Sequence, residues 1–213
     1  MRGWRTVTAG RIAAAPFLAL VLAAVTCASR PQPARVVGDL TFDTTRLPRI
    51  WVAGFIVTDD PEFDVNDETV RLLRFKLRQL QASVVDGPPL EIEARRQLGD
   101  VDYWRLLAEE RGSPMIVTGV VSLLLAPPAV VQRGTRTRYY PKAGRVLRAT
   151  IVTIDGRTGV QVGTDVLPQQ VRYEPALIGS SLGLYFRMMD DTMPAWMASI
   201  ARAGKTIRGT GGT

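Results

Sequence analysis

The sequence predicts an α/β fold: a single domain with a mixed β-sheet of about five strands, packed by two or three helices that include a long C-terminal helix, and preceded by a signal peptide and a short tether. Two nearly continuous apolar segments, residues 49–58 and 115–125, are typical of strands covered on both faces. Apolar residues recur at helical spacing in residues 67–81 and in the C-terminal region. Residues 145–173 form two β-rich segments around Asp155-Gly156-Arg157-Thr158-Gly159, which is a strong hairpin signal.

The composition excludes several classes of protein. Apolar residues make up 46% and charged residues 22% of the 213 residues, which is ordinary for a globular protein. The formal charge is +7, and Arg2, Arg5 and Arg11 contribute three of these charges, which leaves +4 on a chain without its leader. This modest charge predicts no nucleic-acid partner. Because the chain contains no histidine, the sequence excludes Ser-His and Cys-His nucleophile pairs and most metallohydrolase sites.

Residues 1–26 predict a signal peptide, and Cys27 is the predicted lipidation site. The first 11 residues are basic, and residues 12–25 form an apolar run of 14, whereas a membrane-spanning helix needs about 20 residues. The single cysteine of the chain follows at once, and this arrangement resembles the bacterial lipoprotein signal, in which the mature chain begins at a cysteine that carries acyl chains such as palmitate. Ordinary cleavage after Ala28 and an uncleaved anchor are the alternatives. All three export the chain from the cytoplasm.

Residues 27–44 predict a lipidated tether, and residues 45–203 predict the α/β domain. The tether is polar and contains proline near its start, a composition typical of linkers. Within it, residues 36–42 predict a short edge strand. The acids of residues 59–62, which follow the first buried strand, predict a solvated loop, because a metal site needs further ligands from elsewhere.

Two amphipathic helices are predicted in the first half of the domain. The first covers residues 67–81 and is capped from Asn66; the second covers residues 102–111 and is capped by Asp100 or Asp102. Three arginines fall on the outer side of the first helix: Arg71, Arg74 and Arg78. They resemble a phosphate or nucleic-acid patch, but a solvated helix face is the commoner structure for such a pattern.

The remaining elements include one loop and one long helix. Residues 82–85 predict a short strand, and residues 126–140 predict an exposed basic loop. The C-terminal helix opens at residues 180–181, and Pro194 predicts that it is kinked or divided. Its methionine- and aromatic-rich face predicts core, with a partner-binding groove as the alternative. Residues 204–213 carry no pattern and predict a disordered tail.

The sequence predicts no catalytic residue, no metal ligand and no cofactor site. Neither G-x-G-x-x-G nor G-x-x-x-x-G-K-[ST] occurs. Asp190 and Asp191 are adjacent on a helix, so their side chains point about 100° apart and do not share a site. The sequence does not exclude acid–base hydrolysis by two carboxylates that are distant in the chain, such as Glu109 and Asp155.

Four segments carry a resemblance to a known family. They are the apolar strand at residues 50–57, the helical stripe at residues 70–80, Gly112 leading into Ile116-Val117-Thr118-Gly119-Val120, and Ile154-Asp155 with Thr158-Gly159. Over roughly residues 45–203 they resemble the curli-secretion-channel (CsgG) lipoproteins and the amino-terminal domain of TolB. The resemblance implies a periplasm-facing envelope lipoprotein that binds partners or assembles into rings and has no enzymatic activity. A secretion pore is not predicted, because the chain has no evident pair of alternating membrane-spanning hairpins.

The leading hypothesis is therefore a non-catalytic lipoprotein of the bacterial envelope, at the periplasmic face of the outer membrane or otherwise exported. It would be attached through Cys27 and would recruit or assemble with other envelope proteins. One alternative is a small-molecule- or lipid-binding accessory of an envelope transport system, which a concave apolar pocket under the C-terminal helix would favour. The other is a cell-wall hydrolase, which would need two carboxylates converging in a cleft.

Overall fold

The computed structural model describes residues 47–58, 62–93, 95–140, 144–173 and 181–210. The elements in chain order are β1 (Ile50–Val57), α1 (Val65–Gln79), a 3₁₀ helix (Arg95–Gly99), α2 (Val101–Glu109), β2 (Met115–Ala126), β3 (Ala129–Arg133), β4 (Arg136–Tyr140), β5 (Gly144–Asp155), β6 (Gln161–Val166), β7 (Gln170–Arg172) and α3 (Ser181–Thr210). The predicted fold class is confirmed: a mixed five-stranded sheet is packed by three α-helices. The predictions for residues 1–44, including Cys27 and the strand at 36–42, lie outside the described residues.

The five-stranded sheet is centred on β2 and β5. These two strands pair antiparallel over twelve residues each, from Met115 opposite Asp155 to Ala126 opposite Gly144. β1 pairs parallel with β2, while β6 and β7 both pair antiparallel with β5. The predicted hairpin at residues 145–173 is confirmed as β5, a turn and β6.

Helices cover both faces of this sheet. One face packs against α1 and α3, and its β1 residues are Ile50, Val52 and Phe55. The other face packs against α2, and its β1 residues are Trp51, Ala53 and Ile56. The register with β2 shifts between Val52 and Gly54, which explains why the alternation along β1 changes phase there. Burial on both faces is the reason that β1 and β2 are almost continuously apolar.

Helix α1 begins two residues before its predicted start. Its N-cap is Asp64, whose side chain accepts a hydrogen bond from the backbone N–H of Asp67. Asn66, the predicted cap, has a different role: its Oδ1 accepts from the Phe55 N–H at 2.7 Å, and its Nδ2 donates to the Leu90 carbonyl at 3.0 Å. The amide of Asn66 therefore joins the end of β1 to the segment that follows α1.

Arg74 corrects the prediction that all three α1 arginines are solvated. Its side chain is only 8% exposed, and its guanidinium donates to the carbonyls of Val52, at 2.7 Å, and Gly87. Burial lowers the pKa of Arg74. Arg71 and Arg78 are exposed, as predicted, and pair with carboxylates of Glu68 and Asp86. Arg74 differs because the segment that follows α1 crosses over it.

That segment, residues 82–90, lies along the outer edge of β1. The predicted strand at residues 82–85 is reduced to a single parallel bridge between Val84 and Ile50. The Ile50 N–H donates to the Ser83 carbonyl at 2.8 Å, and the Leu90 N–H donates to the Ala53 carbonyl at 2.7 Å. Backbone groups of β1 that an edge strand would expose are thereby satisfied.

Helix α2 lies where the sequence places it, with Asp100 as the N-cap. The Asp100 side chain accepts from the Tyr103 N–H at 3.0 Å. Trp104 and Ala108 are buried against the sheet, and the Trp104 ring meets Trp51 edge-on with 6.5 Å between the ring centroids.

Residues 126–140 are not the predicted loop. β3 and β4 form a separate two-stranded antiparallel sheet, joined by the two residues between Arg133 and Arg136. Gly134 occupies the turn with φ of +59°, a conformation that glycine adopts without strain. We refer to residues 129–140 as the arm.

Helix α3 is a single helix of 30 residues and about 45 Å that runs through Pro194 without a division. The prediction that its methionine- and aromatic-rich face is core is confirmed; the buried residues include Tyr185, Met188, Met189, Trp196 and Ile200. No helix among the described residues combines the length and apolar character needed to cross a membrane.

The predicted tail from residue 204 onward is wrong for residues 204–210, which belong to α3, and residues 211–213 lie outside the described part. The reason is packing. A Cβ on Gly204 would stand 2.7 Å from Leu47 Cδ2, so glycine lets α3 lie close to the segment before β1. Ile207, one turn further on, is buried.

Replacing Arg74 with Ala is expected to lower the free energy of unfolding by about 1–3 kcal/mol, because the buried Val52 carbonyl loses a charged donor. Arg78→Ala, on the same helix, is the matched control and should cost less than about 1 kcal/mol, since its ion pair with Asp86 is exposed. Urea unfolding followed by circular dichroism measures both. Equal losses in the two variants would contradict the structural role of Arg74.

Candidate functional site

In the chain, the arm lies between the last paired residues of β2 and β5. Ala126 lies opposite Gly144 at the end of that ladder, and β3 and β4 continue the chain from there. Each arm strand has five residues and is therefore about 17 Å long. Apart from the half-buried Ala129, the arm side chains that the structure describes are exposed, including Val130 at 63% and Tyr139 at 65%. The arm is thus built from regular structure but has little contact with the core.

The two faces of the arm differ in chemistry. Val130 lies opposite Tyr139 in the register, so these two exposed apolar side chains share one face. Arg136 and Arg138 alternate with Thr137 and Tyr139 along β4 and therefore lie on the other face. One face of the arm is therefore uncharged and carries Val130 and Tyr139 together with Gln132 and Thr137; we call it the apolar face. The other face carries Arg136 and Arg138, among positions that are not all charged; we call it the cationic face.

The stretch of sequence that contains the arm carries charge of one sign. Between Glu110 and Asp155 the sequence contains no acidic residue and seven basic ones, namely Arg111, Arg133, Arg136, Arg138, Lys142, Arg145 and Arg148. At the base of the arm, Arg145 donates to Ser181 Oγ at 3.0 Å and Arg148 donates to Gln169 Oε1 at 3.0 Å, so both cations bind neutral groups. The adjacent Arg172 pairs with Asp191. The arm and its base therefore carry more basic than acidic side chains.

A cleft lies at the opposite end of the β2–β5 ladder. It has a volume of about 310 Å³ and is lined by Pro48, Ser113, Met115, Asp155, Arg157, Ile207 and Arg208. The carboxylate of Asp155 accepts hydrogen bonds from the backbone N–H of Arg157 at 3.1 Å and from its guanidinium at 2.8 and 3.1 Å. Arg157 Nη2 also donates to the Ile207 carbonyl at 3.2 Å. The pair therefore closes the β5–β6 turn and ties it to the end of α3.

The electrostatics of Asp155 follow from this arrangement. Burial opposes ionisation of the carboxyl group, but hydrogen bonds from the side chain and backbone of Arg157, together with its charge, outweigh burial and hold the pKa of Asp155 below its usual value. Because the carboxyl group of Asp155 is ionised near neutral pH, it has no proton to donate as a general acid.

The two carboxylates named for acid–base hydrolysis, Glu109 and Asp155, do not share a site, and each pairs with an arginine. Glu109 pairs with Arg105 at 2.9 Å on the surface of α2, and Asp155 is the one carboxyl group among the residues that line the cleft. Asp190 pairs with Lys76 at 3.1 Å and Asp191 with Arg172, so the adjacent acids of α3 do face different partners. Within the described part of the chain, no three His, Cys, Asp or Glu side chains are grouped as metal ligands.

The sequence anticipated the basic character of the arm but not its structure. Proline at 127 and 128 and glycine at 134 are loop signals, and because of them the sequence predicts a loop where the structure has two short strands. The signal that would have revealed them is the β-branched and aromatic content of residues 129–131 and 137–140 on either side of Gly134.

Comparison with known proteins gives similarity in structure but not in sequence. No protein-family model matches the chain, and no curated protein matches it in sequence. The crystal structure of the lipoprotein GNA1162 from Neisseria meningitidis is similar, with a TM-score of 0.40 and 11% sequence identity, over 70% of this chain and 97% of that one. The resemblance to the CsgG and TolB families stays a prediction.

Replacing residues 127–143 with Asn-Gly is expected to leave the domain folded. Ala126 and Gly144 are directly opposite each other, so a two-residue turn can join β2 to β5. Because the described arm side chains are exposed, the free energy of unfolding should stay within about 1 kcal/mol of the wild-type value. Thermal and urea unfolding measure this. A chain that fails to fold would show that the arm is part of the structural core.

Asp155→Asn is expected to destabilise the protein by roughly 1–3 kcal/mol at pH 7 through loss of charged hydrogen bonds. A carboxylate whose pKa is lowered in the folded state contributes stability that is complete above its unfolded pKa of about 3.9 and is lost as pH falls through the folded pKa. The difference between wild type and variant should therefore shrink below about pH 4. Urea unfolding from pH 3 to 7 tests this, with Asp86→Asn as the exposed control. A difference independent of pH would contradict the assignment.

Proposed function

We propose that this protein is a non-catalytic, membrane-anchored lipoprotein of the bacterial envelope that recruits or assembles with other envelope components. The exposed cationic arm is the observation that carries the proposal. A two-stranded hairpin is marginally stable by itself, and this one contributes little to the core, so a binding role accounts for its presence best. The membrane anchor would be acyl chains on Cys27, and the location would be the periplasmic face of the outer membrane or another exported position.

The anchor is supported by the leader sequence. The apolar run of residues 12–25 is followed at once by the single cysteine of the chain, and the next residues are polar. A cysteine that served the core of the domain would lie within one of its strands or helices, whereas Cys27 precedes the first described element by more than twenty residues. Ordinary cleavage after Ala28 and an uncleaved anchor remain the competing outcomes.

The non-catalytic assignment is supported by the state of the polar groups in the cleft. Asp155 and Arg157 satisfy each other, and the arginine also binds the carbonyl of Ile207. A substrate would have to break these hydrogen bonds to reach either charge. A cell-wall hydrolase needs two carboxylates on opposite sides of one bond, and the lining of this cleft supplies one.

The cleft is also the one observation in favour of the second candidate, a small-molecule- or lipid-binding accessory of an envelope transport system. It lies beside the end of α3, although not beneath its methionine-rich face, which is buried in the core. Its volume of about 310 Å³ is at the lower limit of ligand pockets. This candidate therefore ranks behind the recruiting function.

The anchor is tested with radiolabelled palmitate supplied to cells that express either the wild-type chain or Cys27→Ala. We expect label on the wild-type chain alone, because the chain offers no other thiol for the attachment of the lipid. Label that persists on the alanine variant, or its absence from the wild-type chain, would remove the anchor. Membranes from the same cells, cross-linked with the wild-type and the arm-deleted chain, then show which contacts require the arm.

A further inference from the structure

We propose that the arm binds the surface of an anionic phospholipid membrane, and that this is a second membrane contact separate from the acyl chains. The inference deepens the proposed function, on which it rests for placing the domain beside a bilayer. The arm has one apolar face, formed by Val130 and Tyr139, and one cationic face, formed by Arg136 and Arg138. An exposed element that presents apolar and aromatic side chains together with arginines is the pattern that lies in the headgroup region of a bilayer.

The charge of the arm selects phospholipids that carry a net negative charge. No carboxylate occurs within the 44 residues from Arg111 to Ile154, so the arm carries no acidic group that would repel an anionic surface. Arginine binds phosphate oxygens through two parallel hydrogen bonds, and each basic residue near an anionic leaflet contributes to binding. Tyrosine favours the boundary between headgroups and acyl chains because its ring is apolar and its hydroxyl is polar.

The shape of the arm favours a membrane over an acidic protein. A protein partner usually contacts a surface that has a buried centre and a polar rim, whereas this ribbon is narrow and its described side chains from Val130 to Tyr139 are exposed on both faces. A bilayer needs no matching shape: it takes the apolar face into the interface while the arginines on the opposite face extend to the phosphates. We therefore name the lipid surface as the occupant and treat an acidic protein as the outcome that would overturn this assignment.

The arm and the segment before β1 lie at opposite ends of the β2–β5 ladder. Leu47, where the described chain begins, packs against Gly204 near the Met115 end of the ladder, and the arm starts at its Ala126 end. The twelve paired residues between these ends span about 40 Å. A chain of the length between Cys27 and Leu47 reaches at most about 70 Å when extended, so the arm and the anchor can touch the same membrane. Binding at both ends would restrict the orientation of the domain.

The test places an environment-sensitive fluorophore such as NBD on the arm of the full chain. Thr137→Cys in a Cys27→Ser background gives one labelling site on the apolar face of the arm, where Thr137 is exposed. The matched control is Gln79→Cys, which is exposed at the end of α1 and is uncharged like Thr137. Because both chains keep the basic leader, recruitment of the chain by its N-terminus affects the two probes alike.

With vesicles of phosphatidylglycerol and phosphatidylcholine, the arm probe is expected to shift to the blue, and the control probe is not. Pure phosphatidylcholine should give no shift, and 1 M salt should remove it, since the Debye length is then only about 3 Å. Replacing Arg136 and Arg138 with Gln should raise the vesicle concentration at half-maximal shift about fivefold for each arginine.

Three results would overturn the inference. They are an arm probe that is silent with anionic vesicles, an equal shift of both probes, and a shift with poly-glutamate but not with vesicles, which would assign the arm to an acidic protein. These chains lack the Cys27 thiol, so their result does not depend on lipidation. Loss of palmitate label would remove the anchor, whereas a silent arm probe would remove the second contact alone.

Discussion

The antiparallel ladder between β2 and β5 is the interaction on which the rest of the structure depends. Twelve residue pairs connect the two strands, with Met115 opposite Asp155 at one end and Ala126 opposite Gly144 at the other. β1 reaches the sheet only through β2, and β6 and β7 reach it only through β5. All three helices bury their apolar faces against strands that this ladder holds in place. Packing of the helices on the sheet therefore depends on the pairing of β2 with β5.

The charged residues at the two ends of the ladder have different roles. At the Asp155 end, the carboxylate is satisfied by Arg157, which also binds the C-terminal part of α3, so the charges are used to join elements. At the Ala126 end, the chain continues into the arm, whose arginines lie on an exposed ribbon. The first end stabilises the fold, and the second offers charge and apolar surface to a partner. This division is the physical basis of the proposed function.

Polar side chains in the middle of the fold connect backbone segments rather than forming a site. Asn66 binds backbone groups of Phe55 and Leu90, and Arg74 binds those of Val52 and Gly87. Between α1 and α3, the hydroxyls of Thr69 and Tyr185 share a buried hydrogen bond at 2.5 Å, and burial raises the pKa of the tyrosine. Each of these polar residues lies on a helix, and its hydrogen-bond partners lie on other elements. Its role could therefore not be predicted from the residues next to it in the sequence.

The sequence by itself determined the fold class, the positions of β1, α1, α2, β2, the β5–β6 hairpin and α3, and the burial of the methionine-rich face. Those features depend on the spacing of apolar residues within one element, which is readable locally. Tertiary structure alone decided two others: the burial of Arg74 and the helical state of residues 204–210. The segment that follows α1 covers Arg74, and Leu47 packs on Gly204. Both depend on groups that lie on other elements, so the spacing of apolar residues within one element does not predict them. The β3–β4 hairpin is a local feature, and its β-branched and aromatic residues were outweighed by the neighbouring proline and glycine.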